Sequence, residues 1–364
     1  IVDVQLTAQA SFTLSGQVVD ANTGAPISNA MVTIGSIDFT YNETTDAGGN
    51  FTIPTFFGGT YELAVGQWGY VTHCENATIS STSGGLTIEL EPGVYDDFTF
   101  DFGWNVSGNA AAGVWERGIP NGTSYNGEIA NPDADHQNDC SNQAYVTGNM
   151  ENAGAGDDDI DDGNTILTSP MFNLIPFGDP YIQYSRWFFN DGGFSSPNDT
   201  LFISISNGTQ TELVEAITDS GGISGWEFFT FKVSDYINPA STMMLIIETA
   251  DQQSSGHLTE AGFDFFRVTD SAAVGIDLTH NPVSNLMAFP NPFGDRVSIA
   301  YEMDPAINRG SIGLFDLAGR ELLMEDLSQN IGIKRWDIEL GAGIYWVQLY
   351  GDGNLLRTIK IIRQ

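Results

Sequence analysis

The chain has 364 residues, of which only 12 are Lys or Arg and 47 are Asp or Glu, so its formal net charge is −35. A surface this acidic repels phosphate backbones and anionic lipid headgroups, which argues against nucleic-acid binding and membrane-surface binding. Hydrophobic residues make up 41% and aromatic residues 12% of the sequence, enough for packed cores, which excludes global disorder. No apolar run reaches the roughly 18 residues of a membrane-spanning helix, so we expect no transmembrane segment.

The charge is unevenly distributed along the chain. The last 82 residues hold eight of the 12 basic residues and ten of the 47 acidic residues, for a local balance of −2, whereas the first 282 residues carry −33. Two such different charge regimes are unusual within one domain, and the length suits two or three domains. The sequence therefore predicts a chain of several domains.

Short strand-like segments follow one another from end to end. They alternate apolar and polar residues and are rich in β-branched and aromatic side chains. The clearest are residues 13–20, 30–36, 61–67, 86–92, 200–207, 296–303 and 344–350. The glycines and prolines cluster between them, as turns require, and no segment has the pattern of a three-turn amphipathic helix. The predicted fold class is all-β, with three consecutive β-sandwich or jelly-roll domains.

Residues 1–94 form the first predicted domain. The pattern is a strand, a tight turn at 23–24, a second strand, an acidic glycine turn at 46–49, a third strand and a hairpin. This segment resembles the carboxypeptidase regulatory-like (transthyretin-like) β-sandwich at Gly16, Asp20, Gly24, Pro26, Ala30, Asp46, Gly49, Phe51, Tyr61, Gly69 and Tyr70. The resemblance implies a spacer, folding aid or adhesive module, and no catalytic role.

Residues 95–270 form the second predicted domain. Its motifs, in order, are residues 101–123, 144–149, 158–174, 181–193, 199–207 and 260–268. They resemble the jelly-roll module, related to galactose-binding-like and MAM-type domains, that occurs beside catalytic domains of secreted bacterial proteases and in other exported proteins. Because cations are so rare here, we expect Arg117, Arg186 and Arg267 to form bidentate pairs with carboxylates and so hold the sandwich together.

Two features of these domains leave alternatives open. Cys74 and Cys140 either form an inter-domain disulfide or remain two unpaired thiols. The tryptophans either include a platform on which a carbohydrate stacks or fill the cores, which is the commoner role. They are Trp68, Trp104, Trp115, Trp187 and Trp226.

After a linker at 271–283, residues 284–364 form the third predicted domain. It resembles the C-terminal sorting domain of the type IX secretion system, with matching motifs in the same order and at the very end of the chain. The matching positions are Pro290, Asn291, Pro292, Gly294, Asp316, Gly319, Arg320, Gly343, Ile344, Tyr345 and Lys360. The resemblance implies a small immunoglobulin-like sandwich, and we interpret the basic strand that ends the chain as the last strand of this sorting label.

The same resemblance implies partners and a location. Proteins with this domain are exported by the type IX outer-membrane translocon, collected by a shuttle protein, and usually cut by a sorting protease. We therefore expect the protein outside the cell or on the outer-membrane surface of a Gram-negative bacterium, which it reaches through the periplasm. The near-neutral charge of the domain suggests that it lets the export machinery engage a label attached to a strongly acidic passenger.

Residues 156–165 place five aspartates within six positions, at Asp157, Asp158, Asp159, Asp161 and Asp162. Like charges about 6 Å apart repel by roughly 3 kcal/mol at an effective dielectric of 20, so a folded loop favours a bound cation. Ca²⁺ prefers such oxygen ligands, although the spacing is not that of an EF-hand. Strand geometry divides the aspartates between two faces, so not all five can bind one ion. The resemblance to galactose-binding-like domains suggests Glu260 or Asp264 as further ligands of a structural Ca²⁺, and a merely solvated acidic loop is the alternative.

Catalytic signatures are weak. His257 and Glu260 match the His-x-x-Glu start of a zinc carboxypeptidase site, but the other ligands and the surrounding domain are missing, so we interpret the match as coincidence. Neither a nucleophile elbow nor a phosphate-binding glycine loop is present. We therefore expect no enzymatic activity.

The sequence as a whole predicts a non-enzymatic cargo protein of type IX secretion. Residues 1–270 form the passenger, with a role in adhesion, in binding a glycan or surface protein, or in extracellular assembly. The alternative is that the chain is the ancillary C-terminal region of a longer exported hydrolase, commonly a metallopeptidase, whose catalytic domain lies upstream of Ile1.

Overall fold

The computed structural model describes residues 10–136, 139–192, 197–218, 225–251, 256–270, 285–289, 293–294, 296–303, 307, 309–316, 320–327, 329–337, 340–351 and 354–363. The elements in these ranges are β-strands, apart from a short 3-10 helix at Val233–Asp235, so the prediction of an all-β fold is confirmed. Within the described ranges, no helix has the length and hydropathy needed to cross a membrane. The chain divides into two compact units, Ile1–Ser271 and Ala272–Gln364. The predicted linker at 271–283 lies outside the described residues, and the predicted domain boundaries stay predictions.

The first unit begins with a sandwich of two small sheets. Its strands are β1 (Ser11–Asp20), β2 (Met31–Gly35), β3 (Thr40–Thr44), β4 (Asn50–Phe57), β5 (Gly59–Gly66), β6 (His73–Ile79) and β7 (Leu86–Leu90). One sheet has the order β4-β1-β7, with β1 and β7 parallel, and the other has the order β3-β2-β5-β6. Alternate side chains of these strands are buried, as in Leu14, Val18, Val32, Ile34 and Leu63, because successive side chains of a strand point to opposite faces.

The acidic turn before β4 depends on one glycine. Asp46 accepts hydrogen bonds from the backbone N–H groups of Gly48 and Asn50, both at 2.8 Å, which closes the turn. Gly49 has a φ of +71°, and a Cβ there would lie 2.5 Å from the carbonyl oxygen of Val18. Only glycine fits both restraints, so the sequence pattern of this turn has a direct steric cause.

A larger sandwich follows in the same unit. Its strands are β8 (Tyr95–Asp96), β9 (Asn105–Gly108), β10 (Trp115–Gly118), β11 (Ser124–Tyr125), β12 (Glu128–Ile129), β13 (Ala144–Thr147), β14 (Gly163–Thr168), β15 (Pro180–Asp191), β16 (Leu201–Ser206), β17 (Thr211–Ile217), β18 (Glu227–Lys232), β19 (Met244–Asp251) and β20 (Leu258–Asp270). One sheet has the order β10-β13-β20-β15-β18, with β8 pairing with β20, and the other has the order β17-β16-β19-β14-β9. Strands β11 and β12 form a separate hairpin.

The core between these two sheets is aromatic and aliphatic. Tyr184 and Phe263 are fully buried in it, and their rings lie 5.3 Å apart. A β-bulge interrupts the pairing of β15 with β20 between Gln183 and Ser185, next to Asp264, and Phe265 has a positive φ of 55°. Bulges re-aim side chains locally, and this one lies beside a cluster of carboxylates described below.

The three arginines of this sandwich behave differently. Arg186 forms the predicted bidentate pair, with Nε and Nη2 on the Glu215 carboxylate, and it also contacts Glu227 at 2.7 Å. The prediction was wrong for Arg117, which donates to the carbonyl of Phe98 and to Gln143, because its head faces backbone and an amide. Arg267 donates to the side chain of Gln183 and lies 5.0 Å from the ring centre of Phe265.

Trp68 and a disulfide join the two sandwiches of the first unit. The Trp68 indole N–H donates to the carbonyl of Met171 at 2.9 Å, and its ring stacks on Phe266. Cys74, in β6, and Cys140, before β13, form a disulfide with their Cα atoms 5.6 Å apart. The question that the sequence left open is thus resolved in favour of pairing.

The tryptophans pack rather than form an open platform. Trp104, Trp115 and Trp187 are buried. The Trp226 ring is half-buried, and its N–H donates to the carbonyl of Ala134 at 2.7 Å. Of the two roles considered, the structure therefore favours packing.

The second unit is a sandwich of two antiparallel sheets. Its strands are β21 (Asn285–Phe289), β22 (Arg296–Glu302), β23 (Gly310–Phe315), β24 (Glu321–Leu327), β25 (Ile331–Asp337), β26 (Gly343–Gly351) and β27 (Asn354–Arg363). The sheets have the orders β21-β22-β25 and β24-β23-β26-β27. Val297, Ile299, Ile312, Leu314 and Val347 fill the core between them.

Candidate metal centre and ligand cleft

The aspartate-rich segment 157–162 satisfies several of its carboxylates with its own backbone. Asp157 accepts from the N–H of Gly154 at 2.7 Å, and Asp158 accepts from the N–H of Met150 at 3.0 Å. In this segment Asp159 is buried, whereas Asp161 and Asp162 are exposed. Among the described residues, two groups of three side chains place potential ligand atoms within 4.8 Å of one another, and neither includes residues 157–162.

Glu260 lies near this segment but contacts a hydroxyl. Its side chain is buried, and its Oε2 accepts a 2.8 Å hydrogen bond from Thr147. The Thr147 hydroxyl in turn accepts from the N–H of Ala261. Burial raises the pKa of Glu260 well above its usual range, and the charges of Asp159 and Asp158 add to the effect. A protonated Glu260 fits this environment without a metal.

Asp264 lies in a different group, with Asp135 and Asp139. The structure therefore does not gather the seven sequence-predicted metal ligands into one site. Asp264 is fully buried at the bulge of β20, and its carboxylate accepts from the N–H of His136 at 2.8 Å. Together, Asp135, Asp139 and Asp264 form what we call the acidic cluster.

The acidic cluster carries more negative charge than a buried site tolerates. Two unit charges 4.8 Å apart repel by roughly 3.5 kcal/mol at an effective dielectric of 20. Burial, with the nearby charge of Asp97 as a further cause, raises the pKa of Asp135 to about 6 and that of Asp139 to about 8. Burial also raises the pKa of Asp264 well above its usual range. Either protons or a cation must neutralise these groups.

Two oxygens of the acidic cluster have no hydrogen-bond partner. They are the buried Oδ2 atoms of Asp135 and Asp139. Leaving a buried carboxylate oxygen without a partner is costly, and a hard cation with oxygen ligands removes that cost. The donor set contains carboxylates and nearby carbonyls, and the His136 ring is kept neutral because burial lowers its pKa to about 4. These residues fit Ca²⁺.

The disulfide helps to hold the loop that carries two of these ligands. Cys140 directly follows Asp139, and its N–H lies 3.3 Å from Oδ2 of the buried Asp97. Our sequence prediction missed Asp135 and Asp139 because they are scattered in the segment 133–140 and do not form a run. The spacing Asp-x-Asp-His-x-x-Asp, immediately before a cysteine, was the available signal.

The second group consists of Asp199, Asp251 and His257, all buried. Asp199 precedes β16, Asp251 ends β19, and His257 precedes β20. His257 Nδ1 lies 3.1 Å from Oδ2 of Asp199. The sequence singled out His257, but it paired this residue with Glu260, which contacts Thr147 instead.

A cleft of about 790 Å³ adjoins this group. Asp199 and Asp251 line one side, and Phe202, Asn164 and Glu248 line the outer surface of the sheet. Phe202 and Glu248 are directly opposite each other on β16 and β19. The Asn164 amide donates to Glu248 at 2.7 Å, while Phe202 is 41% exposed. The cleft thus combines an open aromatic ring with planar polar groups.

The sorting motif of the second unit is partly described. Pro290, Asn291, Pro292 and Gly319 lie outside the described residues. Asp316 accepts from the backbone N–H of Arg320 at 2.9 Å and also contacts its guanidinium. Gly294 accepts from the Arg363 side chain at 2.9 Å. These contacts stabilise turns on either side of the β-sheets.

The remaining motif positions lie on the last hairpin. Gly343 opens β26 and pairs with Arg363, and Lys360 pairs with Trp346. The hydroxyl of Tyr345 donates to the carbonyl of Gly341 at 2.7 Å. The basic terminal strand is therefore β27, an edge strand that pairs along most of its length with β26.

Comparison with known protein families identifies both ends of the chain. Residues 13–95 match the carboxypeptidase regulatory-like domain, and residues 287–364 match the secretion system C-terminal sorting domain. Both predicted resemblances are confirmed. The protein is therefore an exported one, carried across the outer membrane of a Gram-negative bacterium by the type IX secretion system, with whose machinery its sorting domain interacts. None of the curated proteins compared with the chain matches it.

Solved structures show distant likenesses. A carbohydrate-binding module of the β-sandwich superfamily is 13% identical, with a TM-score of 0.27, over 72% of this chain and 99% of that one. A putative carbohydrate-binding protein from Bacteroides uniformis ATCC 8492 is 9% identical, with a TM-score of 0.21, over 72% and 99%. The Endo-D glycoside hydrolase domain from Streptococcus pneumoniae R6 is 7% identical, with a TM-score of 0.29, over 71% of this chain and only 37% of that one. Likenesses this weak define neither the fold nor the function of this chain.

Proposed function

We propose that this protein is an exported binding protein without catalytic activity, which binds a glycan in the cleft of its second sandwich. The observation that carries the proposal is the pairing of an exposed aromatic ring with hydrogen-bonding side chains in that cleft. Its volume of about 790 Å³ lies within the usual range for ligand sites, roughly 300–1,000 Å³. A site of this size accommodates a few sugar units.

The chemistry of the cleft suits sugars better than other small molecules. The apolar C–H face of a pyranose stacks on an aromatic ring such as Phe202, and burial of that face supplies hydrophobic free energy. The Asn164 amide and Glu248 carboxylate offer donors and acceptors in plane, which suits adjacent hydroxyl groups. The strongly negative chain disfavours anionic ligands. We therefore propose a neutral glycan as the ligand.

For export, we propose that the second unit engages the translocon and its shuttle protein, and that a sorting protease cuts in the linker at 271–283. Support comes from the folded sandwich that ends in β27 and from its charge balance of −2 against −33 in the rest of the chain. Intact-mass measurement of the protein from the cell surface and the medium tests the cleavage. A product ending within the linker is expected, whereas a product ending at Gln364 contradicts cleavage.

The charge part of the export proposal has its own test. Five basic residues of the second unit, each replaced by Gln, make its charge resemble that of the passenger; they are Lys334, Arg335, Arg357, Lys360 and Arg363. We expect secretion to fall. Unchanged secretion of a folded variant removes the charge from the mechanism and leaves the shape of the domain as the signal.

Glycan binding is tested by screening the full chain against a panel of neutral oligosaccharides and then titrating the best binder. Phe202→Ala should weaken binding by at least roughly ten-fold, because stacking on an aromatic ring contributes about 1.4 kcal/mol or more. The matched control is Phe39→Ala, in the first sandwich, since Phe39 is 38% exposed and Phe202 41%. No binding across the panel, or equal affinities for the two variants, overturns the proposal.

A further inference from the structure

We propose that Asp199, Asp251 and His257 form a binding site for a transition-metal ion of the zinc type at the edge of the cleft. This site is separate from the acidic cluster and does not depend on the cleft binding a glycan. It places one imidazole and two carboxylates around a point where three strand ends of the second sandwich meet, beside β16, β19 and β20.

The geometry of the three side chains suits a single small ion. Potential ligand atoms of all three lie within 4.8 Å of one another, and His257 Nδ1 is 3.1 Å from Oδ2 of Asp199. Two ligands of a tetrahedral zinc ion, with bonds of about 2.0–2.1 Å, lie roughly 3.3 Å apart. A small closure of Asp251 toward this pair would complete a three-ligand site.

Neighbouring groups already orient these ligands. The Thr259 hydroxyl donates to Oδ2 of Asp199 at 3.2 Å, and the backbone N–H of His257 lies 3.3 Å from Oδ1 of Asp251. Hydrogen bonds of this kind hold the ligands of metal sites in position. All three ligands are at most 3% exposed, so their positions are fixed by packing and the site is shielded from bulk water.

An independent observation at the same place also indicates a ligand. The hydroxyl of Thr249 has no hydrogen-bond partner although its side chain is 1% exposed. Thr249 lies two residues before Asp251 on the inward face of β19, and it lines the same cleft as Asp251 and Asp199. A water molecule or hydroxide on the metal would give this hydroxyl its missing partner, and the metal's open position would face the cleft.

The donor set distinguishes this site from the acidic cluster. Imidazole nitrogen suits zinc and its neighbours in the first transition row, whereas sites with oxygen donors alone suit calcium and magnesium. Two carboxylates and a neutral imidazole carry a charge of −2, which one divalent cation balances. The second sandwich would thus hold two cations of different chemistry, a hard one at Asp264 and a borderline one at His257.

The experiment is a calorimetric titration of the chelator-treated full chain with ZnCl2, in the presence of excess CaCl2 to occupy the acidic cluster. We expect one Zn²⁺ per chain, with affinity reduced by more than roughly ten-fold in Asp251→Asn and in His257→Gln. Asp139→Asn, in the acidic cluster, and His73→Gln, a histidine near Glu75 on the surface, are the controls and should bind Zn²⁺ as the unmodified chain does. Co²⁺ in place of Zn²⁺ should give the visible absorption of a tetrahedral complex, lost in Asp251→Asn.

Two results overturn the proposal. One is the absence of stoichiometric Zn²⁺ binding, which would leave His257 and Asp199 as a buried hydrogen-bonded pair. The other is binding that Asp251→Asn leaves unchanged while circular dichroism shows the variant to be folded. Asp251→Asn preserves size and shape, so it decides the question even if His257→Gln fails to fold. Glycan titrations run separately, so failure of either proposal does not affect the other.

Discussion

Cys74 and Cys140 are joined by a disulfide that connects β6 of the first sandwich to the loop carrying Asp139 in the second. The bond therefore does two things at once: it ties together two sandwiches, and it anchors a loop of the acidic cluster. Its formation fits a protein that passes through an oxidising periplasm before export. The single pair of cysteines in 364 residues thus lies where it restrains the most chain.

Loss of this disulfide should destabilise the first unit and weaken calcium binding together. The two cysteines are separated by 66 positions, and closing a loop of that size in the unfolded chain is worth about 4 kcal/mol. We expect the Cys74→Ser, Cys140→Ser double variant to lose up to that amount of unfolding free energy, measured by urea denaturation. Adding reductant should affect the unmodified chain but not the variant, and an equal response of both contradicts the assignment.

Calcium should stabilise the chain through the acidic cluster. At a concentration one hundred times its Kd, a ligand adds about 2.7 kcal/mol to the unfolding free energy, which should raise the Tm of chelator-treated protein by several degrees. Asp264→Asn should abolish this increase and should leave the metal-free protein folded, since the carboxyl of Asp264 is buried with its pKa raised.

Glu260→Gln is the matched control for that experiment. Glu260 and Asp264 lie on the same strand and were predicted together from the sequence, but only Asp264 belongs to the acidic cluster. We expect calcium to stabilise Glu260→Gln as it does the unmodified chain. If Glu260→Gln loses the calcium effect and Asp264→Asn keeps it, the ion binds at the aspartate-rich segment 157–162 and our assignment is wrong.

Arg186 should be the arginine whose loss costs the second sandwich most. Its guanidinium makes a bidentate pair with Glu215, whose side chain is only 10% exposed. Arg186→Ala leaves that carboxylate without its cation, which should cost roughly 3–5 kcal/mol of unfolding free energy. Lys232→Ala, which removes a more exposed pair with Asp179, should cost less than about 1 kcal/mol by the same measurement. Similar losses for both would mean that burial of the pair is unimportant.

Tyr145 should make stability fall at alkaline pH. Burial raises the pKa of Tyr145 to about 12, whereas a tyrosine in an unfolded chain titrates at about 10. Because the folded pKa is the higher one, the stability that protonated Tyr145 contributes is fully present below about pH 10. It is lost as the pH rises toward 12.

Tyr145→Phe tests this pH dependence, because it keeps the ring against Phe98 and Trp104 but cannot ionise. The unfolding free energy of the unmodified chain should decline more steeply between pH 10 and 12, by up to about 1.4 kcal/mol per pH unit for one proton. Parallel curves for the two proteins would show that Tyr145 ionises freely in the folded state.

Much of the architecture could be predicted because its causes are local. Alternation along a strand and glycine in tight turns act over a few residues, as at Gly49, where φ is positive and the carbonyl of Val18 is close. The candidate sites could be predicted only in part. Asp264 and His257 were singled out, but Asp135, Asp139, Asp199 and Asp251 were not, since nothing in their neighbouring residues marks them as ligands. Arg117 shows the same limit, because its partners are a carbonyl and an amide from distant segments.

The sequence by itself determined that the protein is all-β and that it begins with a regulatory-like sandwich and ends with a sorting domain. These properties are written in periodicity and in motifs read along the chain. Only the tertiary structure decided which carboxylates meet. The densest run of aspartates, 157–162, satisfies carboxylates with nearby backbone N–H groups, whereas Asp135 and Asp264, 129 positions apart, share a buried cluster. Charge repulsion depends on distance in space and on burial, and sheet pairing, a bulge and a disulfide set both.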